Sequence, residues 1–102
     1  MSRIETFKQM LEADANNQVV RFGLANEYLK AARYQEAIDA LNLYLAGADD
    51  EGAAYGMLAR AYIETGQTAA ARRAYERGAE VADAHGHPSM AEDYRATLEE
   101  IE

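Results

Sequence analysis

The chain has 102 residues, 49% of them apolar, which suits one compact domain and excludes a disordered acidic tail. Eighteen acidic against ten basic residues give a net charge of −8, which argues against nucleic acid and anionic membranes, both gripped through Lys and Arg. Cysteine is absent, so disulfides and thiolate chemistry are excluded; alanine is plentiful, proline occurs once, and no stretch alternates as a strand would.

In chain order, the opening "MSRIETFKQML" is amphipathic and carries Glu5. It has no apolar core of signal type, and no run reaches the ~20 apolar residues of a membrane span, so a cytoplasmic location is expected. Ser2 with Glu5 reads as a capping box that opens a helix over 3–14. Further helices are predicted over 18–31, 34–46, 51–64, 68–84 and 90–101, the last opened by Pro88 and a second capping box of Ser89 with Glu92. Gly47, Gly66 and Gly86 are placed at helix ends, where a left-handed residue closes the last turn. The connections "DANNQ", "AAR", "GADD", "TGQ" and "HGHP" are short enough to make neighbouring helices antiparallel.

One phrase recurs in this all-α pattern: "LANEY" at 24–28, "LARAY" at 58–62 and "MAEDY" at 90–94. Tyr28 and Tyr62 stand 34 residues apart, and the same shift carries Leu24 to Leu58, Ala25 to Ala59, Ala37 to Ala71 and Ala40 to Ala74. A fixed period with helical patterning inside it signals stacked helical hairpins. Within a hairpin the small Ala25 and Ala37 let two helices approach, while Tyr28 covers the joint.

On these residues the chain resembles the tetratricopeptide repeat family. Leu24, Ala25, Tyr28, Ala37 and Leu41 match its pattern in one unit, and Leu58, Ala59, Tyr62, Gly66, Ala71 and Tyr75 match it in the next. Arg21 stands where the first aromatic is expected, Asp49 and Asp83 replace the proline between units, and Tyr44 and Gly78 replace the last alanine. The resemblance implies a right-handed stack of antiparallel hairpins forming a single domain. Residues 3–17 are an N-terminal capping half-unit, 18–51 and 52–85 two full units, and 86–102 a C-terminal half-unit.

It further implies a non-catalytic adaptor that binds a peptide of a partner protein in a concave groove lined by the first helix of each unit. Carried over residue by residue, the groove takes Val19, Phe22, Asn26, Leu29 and Lys30 from the first unit. The second supplies Ala53, Gly56, Arg60, Ile63 and Glu64, and the last helix Glu92 and Arg95. Asn26 can hold a peptide backbone and Arg60 a carboxylate, or Lys30 and Arg60 simply pair with Glu27, Glu64 or Glu92. The alternative function is self-association of the terminal helices through Phe7, Met10, Leu11 and Ile101, which otherwise belong to the core.

Three further features are weighed against these. Asp83, His85 and His87 are metal ligands by residue type, although their spacing sits badly around a helix ending at Gly86, and no metal or other cofactor is expected. Arg72, Arg73 and Arg77 read as an outer helix face paired with acidic neighbours rather than a nucleic-acid patch. No cysteine nucleophile, phosphate-cradling glycine loop or HExxH pattern supports an enzyme.

Overall fold

The computed structural model describes residues 2–101, and its helices follow the order α1 (Arg3–Ala13), α2 (Gln18–Lys30), α3 (Tyr34–Gly47), α4 (Ala53–Glu64), α5 (Thr68–Ala84) and α6 (Pro88–Glu100). No strand occurs among the described residues. The helices group into two compact units, α1–α3 and α4–α6, with the division after Ala48. In the first unit α2 packs against both α1 and α3; in the second α5 packs against both α4 and α6.

Three turns share one construction. Ala32, Gly66 and Gly86 have φ of 57°, 75° and 76°. The next residue returns a long bond to the helix it leaves: Arg33 N–H to Tyr28 O at 2.9 Å, Gln67 N–H to Tyr62 O at 2.8 Å, and His87 N–H to Ala82 O at 2.8 Å. These are left-handed helix closures that satisfy the last carbonyls. Gly66 and Gly86 thus serve as expected, and Ala32 fills the same role without glycine's freedom. Gly47 does not. It remains the last residue of α3, and the chain leaves through extended Ala48 at ψ 149°. Among the described residues, the only group close to where a Cβ on Gly47 would be is the end of the Gln18 side chain, which can move aside.

The starts of α1, α2 and α4 have side-chain acceptors near the first turn, whereas those of α3, α5 and α6 have no side-chain cap. Ser2 Oγ accepts the Glu5 N–H at 3.2 Å, and Asn17 Oδ1 accepts that of Val20 at 3.1 Å. At α4 the acceptor is Asp50, whose Oδ2 takes the N–H groups of Gly52 at 2.8 Å and Ala54 at 3.1 Å. Gly52 itself has φ 127°, which holds the helix start at Ala53 rather than at 51. The second capping box is not formed. Pro88 occupies the first turn of α6 after His87, and Ser89 lies inside the helix. The fixed φ of proline suits the first helical position, which draws the start two residues earlier than expected.

The Leu and Ala of the repeated phrase on α2 and α4 are core, whereas Tyr62, Met90 and Tyr94 are half-buried. Ala25, Ala37, Ala59 and Ala71 are fully buried, as is Leu41, and Leu24, Tyr28, Leu58 and Tyr75 are buried with them. Alanine at the crossing points lets each hairpin close, and the larger side chains fill what remains. Helix α1 contributes no buried residue, and Phe7, Leu11 and Ile101 are half-buried. Met10 is 44% exposed, so the expectation that it belongs to the core fails.

Candidate functional site

Helices α2 and α4 sort their residues by face. On α2, Val20, Leu24, Ala25 and Tyr28 turn inward, whereas Val19 is 83% exposed. Asn26 and Leu29 are half-buried on its flanks. Lys30 is exposed and its Nζ meets Glu27 Oε2 at 3.2 Å, which is the solvent pairing considered for it. On α4, Ala54, Leu58, Ala59 and Ala61 are buried, while Ala53, Arg60, Ile63 and Glu64 are exposed. Arg60 lies close enough to Tyr75 for its charge to oppose the burial that raises that phenol above its ordinary value.

Gly56 belongs to the other class. It is buried, and a Cβ there would lie 2.5 Å from Tyr94 Oη and 2.8 Å from two of its ring carbons. Its expected place on a recognition surface is corrected: the missing side chain admits Tyr94, whose hydroxyl donates to Gly52 O at 2.9 Å. Gly78 completes the slot, since a Cβ there would meet Tyr55 Cβ at 2.8 Å and Tyr94 Cε2 at 2.9 Å. That accounts for one departure from the repeat pattern, because an alanine at 78 would not fit. Burial also pushes the Tyr94 phenol up, which keeps the hydroxyl protonated as a donor.

The first unit solves the same place differently. A shift of 34 residues takes Phe22 to Gly56 and Tyr44 to Gly78. Where the second unit has two glycines and an inserted ring, the first has two rings packed on each other, 5.0 Å apart at 57°. Beside them opens a hollow of about 250 Å³ lined by Gln18, Val19, Phe22, Tyr44 and Ala48. Val19 and Phe22 were expected at a site; Gln18, Tyr44 and Ala48 were not. The aromatic pair at glycine-equivalent positions was the signal for Tyr44. A second hollow of about 210 Å³ lies over Leu24 and Tyr28, rimmed by Arg21, Glu36, Asp39 and Leu43.

On α6 Glu92 is exposed, and Arg95 Nη2 is held by Asp83 Oδ2 at 2.6 Å. The three residues weighed as metal ligands each have a different partner: Asp83 meets Arg95 at 2.6 Å, His85 lies 3.8 Å from Asp49, and His87 lies 2.7 Å from Glu51. No group of three or more His, Cys, Asp or Glu side chains that could hold a metal forms among the described residues. Of the α5 arginines, Arg77 pairs with Glu80 at 3.2 Å, but Arg72 donates to Ile101 O at 2.6 Å and so ties α5 to the end of α6.

Comparison with known proteins agrees with this construction. Tetratricopeptide repeat models match residues 4–56 and 52–85. The chain is 28% identical over 99 residues to the TPR repeat-containing protein PA0015 of Pseudomonas aeruginosa, covering 97% of this chain and 94% of that one. The solution structure of protein BPP2914 from Bordetella parapertussis superposes with a TM-score of 0.83 at 23% identity, covering 99% of this chain and 88% of the other. The crystal structure of MamA superposes with a TM-score of 0.71 at 22% identity over 97% of this chain and 66% of its own. These likenesses establish an all-α, TPR-like solenoid.

Proposed function

The chain belongs to the tetratricopeptide repeat family, generally one of protein-interaction modules, and from that premise we propose a non-catalytic adaptor that binds a peptide segment of a partner protein. The observation that carries this reading is the division of labour on the first helices. Leu24, Ala25, Tyr28, Leu58 and Ala59 of the phrase are buried and Tyr62 is half-buried, while Val19 on α2 and Arg60, Ile63 and Glu64 on α4, beside and inside the phrase, are exposed. Such positions can vary without cost to the fold, and they combine apolar surface with an arginine able to grip a carboxylate. Asn26, half-buried beside Ala25, supplies an amide to a peptide backbone.

The test is affinity capture from the native lysate with wild type and an Asn26→Ala/Arg60→Glu variant of matched helicity. Partners held by wild type and lost by the variant support the reading. An identical captured set removes these residues from the site. A second reading, self-association, is favoured by α1, which buries no residue and leaves Met10 44% exposed. Sedimentation at several concentrations separates the two, because an adaptor stays monomeric until its partner is added.

A further inference from the structure

In the second unit two histidines face two carboxylates across the same narrow gap. His87 Nε2 lies 2.7 Å from Glu51 Oε1, and His85 Nε2 lies 3.8 Å from Asp49 Oδ1. The histidines flank Gly86 in the turn between α5 and α6; the carboxylates lie on the segment that enters α4. Two loops separated by 36 residues thus meet at the His87–Glu51 hydrogen bond, with His85 and Asp49 near each other beside it. The third carboxylate of that segment, Asp50, accepts the Gly52 and Ala54 N–H groups and so shapes the first turn of α4. Asp83 and Arg95, also near this end, are bonded to each other at 2.6 Å, and Glu92 and Asp93 lie in the first half of α6. Three consecutive carboxylates, Asp49, Asp50 and Glu51, repel one another, and the groups set against them are the two imidazoles.

We propose that this paired histidine–carboxylate contact is a pH-sensitive fastener, which binds the entry of α4 to the α5–α6 turn more firmly when the imidazoles are protonated. An ionised carboxylate only accepts, so the proton between His87 and Glu51 resides on Nε2 in the neutral ring. A second proton on Nδ1 converts that bond into a charge-assisted one, about twice as strong. The hydrogen bond from His87, then its charge, hold the Glu51 carboxyl below the ordinary glutamate range, so Glu51 stays ionised while the rings gain charge. The direction follows from these two facts. Mild acidification tightens this end of the molecule, the reverse of the loosening that carboxylate protonation brings at lower pH.

The experiment is amide exchange at Gly52 and Ala54, expressed as protection factors, at about pH 7.5 and about pH 5.5, with the Glu51 carboxyl followed by NMR. Protection in wild type is expected to rise roughly two- to five-fold on acidification, the range an exposed ion pair supports. The exposed His85→Gln/His87→Gln variant should keep its helicity and lose the rise. Glu51→Gln, with both histidines intact, should lose most of it. An equal rise in wild type and both variants overturns the proposal, and so does a His87 titration that leaves the Glu51 carboxyl signal unmoved.

Discussion

The ring of Tyr94 occupies the space that a Cβ on Gly56 would take, 2.5 Å from Tyr94 Oη. This contact joins α6 to α4 and sets the second unit apart from the first. Gly56→Ala should therefore lower stability by about 1–3 kcal/mol, the usual cost of overpacking, despite alanine's better helix propensity. In a Tyr94→Leu background the obstruction is relieved, and the same substitution should become neutral or stabilising by up to about 1 kcal/mol. Denaturant unfolding of the four proteins checks the change of sign; additive effects would show that the ring and the glycine do not compete for one space.

Ala32 is the one non-glycine residue at positive φ among the described residues, at 57°, where Gly66 and Gly86 hold the equivalent turns. An L-residue there carries roughly 1–2 kcal/mol of strain. Ala32→Gly should raise the unfolding midpoint by an amount equivalent to about 0.5–1 kcal/mol, some of the relief being offset by glycine's freedom in the unfolded chain. Gly66→Ala and Gly86→Ala should each cost about 1–2 kcal/mol. Neither added Cβ would touch anything within 4 Å, so backbone strain alone is measured.

These two contacts mark what was legible in the chain and what was not. The 34-residue period, the buried alanines and the closing glycines at 66 and 86 are local or periodic signals, and they led directly to six helices and a TPR-like solenoid. Ala32 gave no warning, because an alanine in a left-handed turn looks like any other alanine. Gly56 was misread because its role depends on Tyr94, which arrives from another helix. Asp83 with Arg95, and His87 with Glu51, were equally hidden, since pairings across 12 and 36 residues are fixed by how helices meet. The candidates on α2 and α4 came from the resemblance to the repeat family, and Val19, Lys30, Arg60, Ile63 and Glu64 among them are exposed.

Arg33 joins two side chains across a turn: its guanidinium stands 5.0 Å from the Tyr28 ring centre and gives Glu36 two bonds of 2.7 and 2.6 Å. The hydrogen bonds from Arg33, then desolvation opposing them and the Arg33 charge reinforcing them, leave the Glu36 carboxyl below its ordinary value. A carboxylate with a lowered folded value stabilises above its unfolded value, and that contribution disappears as pH falls through the lowered one. Thermal midpoints of wild type and Glu36→Gln should differ most near neutral pH and converge as pH falls below about 4. A gap that persists unchanged into acid would assign the effect to packing instead.

Ala59 and Arg60 are consecutive, yet one is fully buried and the other exposed. Ala59→Leu should overpack the α4–α5 crossing and cost about 1–3 kcal/mol, whereas Arg60→Glu should leave stability within about 0.5 kcal/mol of wild type. Partner capture should respond the other way. Arg60→Glu should lose retained proteins while the fold is intact, and Ala59→Leu should lose them only to the extent that it unfolds. Chemical denaturation and capture on the same preparations separate the two effects residue by residue. If Arg60→Glu binds as wild type does and Ala59→Leu does not, surface recognition lies off the face of α4 that carries Arg60, and the exposed residues of α2 become the ones to alter next.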